Sequence, residues 1–178
     1  MPQALTTAPE TGEYAPYYGR YISLVSTSNL LDTLKQQARQ THELFARCSE
    51  GDANFSYAPG KWTVKEALGH MIDTERIMAY RALRIARNDK TPMAGFEQDD
   101  YVKYSSFGER TLGDLLEEFS AVRTATLSLL RGFSGQAWTR SGTASGNPVT
   151  VRALAYIIAG HELHHQNVFR EKYAAAFR

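Results

Sequence analysis

The sequence predicts an all-α protein, a four-helix bundle with long inter-helix connections. Three observations carry this. Four stretches of about 20 residues or more place apolar side chains at steps of three and four, the period of an amphipathic helix. Glycine, proline and asparagine punctuate the chain between them. No segment shows the sustained apolar–polar alternation of a half-buried strand.

Residues 1–20 read as an N-terminal tail, broken by Pro2, Pro9, Gly12, Pro16 and Gly19. Tyr14, Tyr17, Tyr18 and Tyr21 are too aromatic for a solvated tail, so its end is expected to lie across the body. Residues 21–178 then form one domain.

The first helix is expected from about Ser28 to Cys48, with a stripe of Leu31, Leu34, Ala38, Leu44 or Phe45, and Cys48; Thr41 is its one polar step. The second opens at Thr63, where Thr63-Val64-Lys65-Glu66 fits a capping box that satisfies free backbone N–H groups. It runs to about Arg87 through Val64, Ala67, Leu68, Met71, Ile72, Met78, Ala82 and Leu83. Residues 88–110 form a long connection carrying Phe96, Tyr101, Tyr104 and Phe107, of a length often used as a lid. The third helix runs from near Thr111 to near Gly132. Trp138 to Pro148 leaves room for a short hairpin at most, and the fourth helix runs from Thr150 to about Ala176. Long connections on both sides of the third helix permit a topology other than up-and-down.

Composition bounds the function. The 178 residues suit one domain, and 43% apolar with 22% charged residues is globular composition. Twenty Lys+Arg against nineteen Asp+Glu give a formal charge of +1, so no basic field drives nucleic-acid binding. The longest charge-free apolar stretch, near Ala153 to Gly160, falls far below the roughly 20 residues a membrane span needs. The first basic residue is Arg20, which speaks against a secretory signal, and the single cysteine, Cys48, against a disulfide scaffold. A cytoplasmic protein is expected.

The histidines carry the chemistry. His161 and His165 stand one turn apart on the apolar stripe of the fourth helix, so both rings should face the bundle interior. Two buried neutral imidazoles need partners, and a metal ion can serve both. His164 lies about 60° round from His161, toward the rim. The stretch 161–165 matches H-E-x-x-H, but the zinc-protease reading fails for want of a third ligand: Glu171 is the one carboxylate that follows, on the same helix. The third ligand is sought upstream at His70, beside Gly69, whose missing side chain permits a close approach. Three histidines from two helices leave open positions, the mark of a catalytic rather than a structural site. Asp73 and Glu162 are candidates to orient an imidazole through its other nitrogen. Glu66 is spent on the cap, His42 reads as solvated, and Cys48 reads as a buried structural thiol. Trp62, Phe96, Tyr101 and Tyr104 line a pocket mouth or pack as core and lid.

At these residues the sequence resembles the DinB/YfiT-like superfamily of metal-binding four-helix bundles, from about Tyr17 to Tyr173. The resemblance rests on Pro59-Gly60-Lys61-Trp62-Thr63-Val64-Lys65-Glu66, Gly69-His70-Met71-Ile72-Asp73-Thr74-Glu75-Arg76, Tyr80-Arg81-Ala82-Leu83, Gly95-Phe96-Glu97-Gln98-Asp99-Asp100-Tyr101 and Gly160-His161-Glu162-Leu163-His164-His165. It implies a divalent metal (Zn, Ni or Fe) on His70, His161 and His165. It also implies a metal-dependent enzyme of thiol S-transferase or hydrolase type, acting on a low-molecular-weight thiol or small electrophile, and a homodimer. The family's name refers to induction by DNA damage and does not imply DNA binding. The competing readings are a non-catalytic metal or small-ligand module, such as a thiol or stress sensor, and a plain structural bundle.

Overall fold

In the computed structural model, residues 7–27 and 29–178 are described. Six helices and one hairpin follow the chain: α1 (Gly19–Ile22), α2 (Leu30–Phe45), α3 (Val64–Ala86), α4 (Gln98–Lys103), α5 (Leu112–Arg131), β1 (Ser141–Ala144), β2 (Asn147–Thr150) and α6 (Val151–Lys172). The four long helices are the four that the apolar periodicity marks. The expected first-helix start at Ser28 and the tail residues 1–6 lie outside the described residues.

Local chemistry sets the helix starts. At α3 the Glu66 N–H donates to Thr63 Oγ1 at 3.2 Å, and the Thr63 N–H donates to Glu66 Oε2 at 2.7 Å, the reciprocal capping box. Thr111 and Thr150 cap α5 and α6 by accepting from the N–H of Asp114 and Ala153 at 3.1 Å. Asn29 caps α2 through Asp32.

The bundle is not up-and-down. Helices α2 and α3 each pack against both α5 and α6, so the order around the bundle is α2–α5–α3–α6. Helices α2 and α3 therefore lie diagonally, as do α5 and α6, while α3 and α5 are neighbours; the connections before α3 and after α5 make the two crossings possible. The connection 88–110 holds α4 and a 3₁₀ turn at Phe107–Glu109. The hairpin β1–β2 pairs Ser141 with Thr150 and Ala144 with Asn147, and its Ser145-Gly146 turn has positive φ at both residues (52° and 75°).

Two apolar clusters fill the interior. One holds Leu30, Leu34, Met78, Ile85, Leu130, Trp138 and Ile157; the other holds Phe45, Leu68, Ile72, Leu115, Phe119 and Phe169. Between them a buried polar layer crosses the bundle. Arg123 of α5 grips Glu75 of α3 with Nε and Nη2, at 2.9 and 2.7 Å. Its Nη2 also lies 2.7 Å from Glu162 Oε2 of α6. Thr41 of α2, the polar step of its stripe, donates to Glu162 Oε1 at 2.6 Å, and Gln166 Nε2 donates to Thr41 at 2.9 Å. All four long helices are tied by this layer, which satisfies charges that burial alone would penalise.

The segment before α2 packs on α6. Glu13 accepts from the Thr150 hydroxyl at 2.7 Å and pairs with Arg152. Gly160 admits Tyr21, since a Cβ there would overlap the Tyr21 carbonyl. No helix among the described residues is long and apolar enough to cross a membrane.

Candidate metal centre

The site stands where α3 and α6 meet. His70 is on α3, and His161 and His165 lie one turn apart on α6. The rings face inward and are 5%, 6% and 9% exposed. One ligand nitrogen from each lies within 4.8 Å of the other two, among them His161 Nε2, which is 3.1 Å from both His70 Nε2 and His165 Nε2.

Gly69 makes room beside His70, but for a side chain rather than a ligand. A Cβ at Gly69 would enter the ring of Phe107, which the 3₁₀ turn lays onto α3. The Trp62 ring lies 4.8 Å from His70, and the Tyr21 ring stands edge-on 5.3 Å from His161. Nothing in the sequence spacing couples Tyr21 to His161; the packing of α1 on α6 does.

Burial pushes the imidazoles away from charge. His70 is pushed down to about 4, by burial first and by His164 second. His161 and His165 are held well below the usual histidine range, again by burial first and by neighbouring histidines. Neutral rings present lone pairs. A proton on His161 Nε2 can be shared with one neighbouring ring only, so hydrogen bonding among the three leaves a close pair unsatisfied. Three neutral imidazole nitrogens converging from two helices fit a divalent cation, for which imidazole is a common ligand. His165 Nδ1 is buried without a protein partner.

The two carboxylates expected to orient an imidazole are engaged elsewhere. Asp73 faces Arg76, one turn further along α3 at 3.8 Å, and lies near Glu118 of α5; burial pushes its carboxyl up. Glu162 belongs to the polar layer with Arg123 and Thr41. Neither hydrogen-bonds a histidine. The position of each on its helix explains this: Asp73 is turned toward α5, and Glu162 follows His161 by one 100° step, toward α2 and α5. His42 corrects its solvated reading, because it is half-buried and its Nε2 lies 2.6 Å from Ser120 Oγ of α5. Cys48 is buried, and burial with Asp52 and Glu50 pushes its thiol up to about 11.

Two cavities reach the histidines. One of about 520 Å³ touches His164, His165 and Trp62; another of about 360 Å³ touches His70, His161, Tyr21 and Phe96. Gln98 and Asp99, at the start of α4, line both. The long connection thus supplies their shared wall, and Asp99 is a carboxylate the sequence reading did not single out. Of the aromatics proposed for a pocket mouth, Trp62 and Phe96 line these cavities, whereas Tyr104 projects into solvent.

No curated protein matches the sequence. Solved structures share the fold. YfiT from Bacillus subtilis, described as "a probable metal-dependent hydrolase with an unusual four-helix bundle topology", superposes with a TM-score of 0.66 at 15% identity, over 91% of each chain. The mycothiol-dependent maleylpyruvate isomerase superposes with a TM-score of 0.66 at 14% identity, over 81% of this chain and 60% of that one. The sequence also matches the DinB superfamily over residues 33–169, a span that takes in all three histidines and the four long helices almost whole. The chain belongs to the DinB superfamily.

Proposed function

We propose that His70, His161 and His165 hold a divalent metal, Zn, Ni or Fe, and that the protein is a metal-dependent enzyme of thiol-transferase or hydrolase type. The observation that carries this reading is the convergence of three buried ring nitrogens, one from each histidine, within 4.8 Å. A divalent metal in such a site supplies Lewis-acid chemistry, keeping a thiol or a water molecule deprotonated near neutral pH.

The chain's own residues supply the rest. Trp62 and Tyr21 shield the imidazoles from solvent, which keeps them neutral and ready to ligate. Asp99, which lines both cavities, and His164 are among the titratable groups on the walls beside the three histidines, placed to take a proton from an incoming nucleophile. The cavities, at about 520 and 360 Å³, suit a small molecule such as a low-molecular-weight thiol with a small electrophile.

The experiment is a paired assay on metal-loaded protein. Thiol addition to a small electrophile and hydrolysis of activated esters are measured beside His161→Ala. Turnover of either kind that the variant loses supports the enzyme. Metal uptake with neither turnover would favour the binding module, a reading favoured by the lack, among the described residues, of a carboxylate hydrogen-bonded to the three histidines.

A further inference from the structure

Arg81 is a buried cation without an anion. It is 3% exposed on α3, and it forms no ion pair among the described residues. Its Nη2 donates to the Ala94 carbonyl at 2.7 Å and to Ser145 Oγ at 3.1 Å, and its Nη1 reaches only the Met78 sulfur at 3.9 Å. These are neutral acceptors, and one of them is weak. A guanidinium carries five donors, and taking it from water without a countercharge is costly.

Arg81 lines a cavity of about 490 Å³ outside the histidine site, between α3 and the connection that follows it. Arg76, Arg84, Tyr80, Phe96 and Tyr101 wall the same cavity, and no carboxylate lines it among the described residues. The neighbouring arginines are already balanced, Arg76 by Glu118 and Arg84 by Asp89 at 2.5 Å. One positive charge is left over, and it is Arg81. The aromatic walls have shape: Phe96 and Tyr101 meet at 60° with centroids 5.2 Å apart, and the Arg81 guanidinium lies 5.8 Å from the Phe96 ring. Size, aromatic lining and one uncompensated fork are the attributes of a small-molecule site.

We propose that this cavity binds a small organic anion, a carboxylate or phosphate carried on a flat apolar body, with Arg81 gripping the anion and Phe96 and Tyr101 flanking the body. The site adjoins the histidine cavity, with which it shares Phe96, but it contains none of the three histidines and does not depend on the metal proposal. The planar fork of arginine pairs two parallel N–H donors with either oxyanion, so the shared chemistry is bidentate anion recognition.

The test is an NMR titration of the full chain with benzoate and phenyl phosphate, beside benzyl alcohol and benzylamine of the same body. The anions are expected to shift the amides of Arg81, Ala94 and Phe96 saturably, with affinity of about 1 mM for probes of this size. The neutral and cationic probes should shift them little. Arg81→Met should weaken anion binding by about tenfold or more, the loss of a charge-assisted pair. Because Arg81 also ties Ala94 and Ser145 to α3, Tyr101→Ala is the second variant: that ring is 47% exposed, and its loss should weaken binding about threefold without unfolding the chain. Equal shifts from all four probes would overturn the proposal. So would no saturable shift with either anion, or shifts confined to His70, His161 and His165. Binding by phenyl phosphate alone, or by benzoate alone, keeps the site and names its anion.

Discussion

Gly160 of α6 touches the backbone carbonyl of Tyr21, and this contact lays the tyrosine ring edge-on against His161, 5.3 Å away. A residue without a side chain thereby positions one wall of the histidine site. Gly160→Ala would place a methyl group where that carbonyl lies. The expected cost is about 1–3 kcal/mol, read by urea denaturation, with earlier proteolysis in the segment before α2. Unchanged stability and cleavage would contradict the packing described.

Arg123 offers a second test. It is the one cation of a buried group with two carboxylates, Glu75 and Glu162. Removing it strands both acids, so Arg123→Met is expected to cost about 3–5 kcal/mol. For a domain of this size that lowers Tm by roughly 6–20 °C. Glu75→Gln leaves Arg123 paired with Glu162 and should cost less, about 1–3 kcal/mol. A calorimetric ranking in the opposite order would refute this division of roles.

Much of this was legible in the sequence, and the limits are physical. Helix period and the Thr63–Glu66 box locate the long helices, because both are local. The spacing of His161 and His165 puts them on one face for the same reason. Glu75 and Arg123 read as ordinary helix charges and Glu162 as a candidate partner of an imidazole, since their pairing needs the order of helices around the bundle, which no local pattern encodes. Thr41, the one polar step on the apolar stripe of α2, was the available signal: a polar residue at a core position asks for polar partners. Arg81 is concealed in the same way. Its burial comes from the hairpin turn and the connection folding over it.

Cys48 gives the pH test. Burial, then Asp52 and Glu50, push its thiol up to about 11. The thiolate is the reactive form, so about a thousandth of the population reacts at pH 8. Modification by a disulfide reagent should be slow there and rise about tenfold per pH unit until pH approaches 11. Rapid stoichiometric labelling at pH 7 would show an exposed, acidified thiol instead.

The three histidines themselves decide the central claim, by elemental analysis of protein purified without a histidine tag, beside His70→Ala, His161→Ala and His165→Ala. About one divalent metal per chain in the parent, and little in each variant, is the expected result. A parent that carries no metal and takes up none from added Zn, Ni or Fe(II) would contradict it.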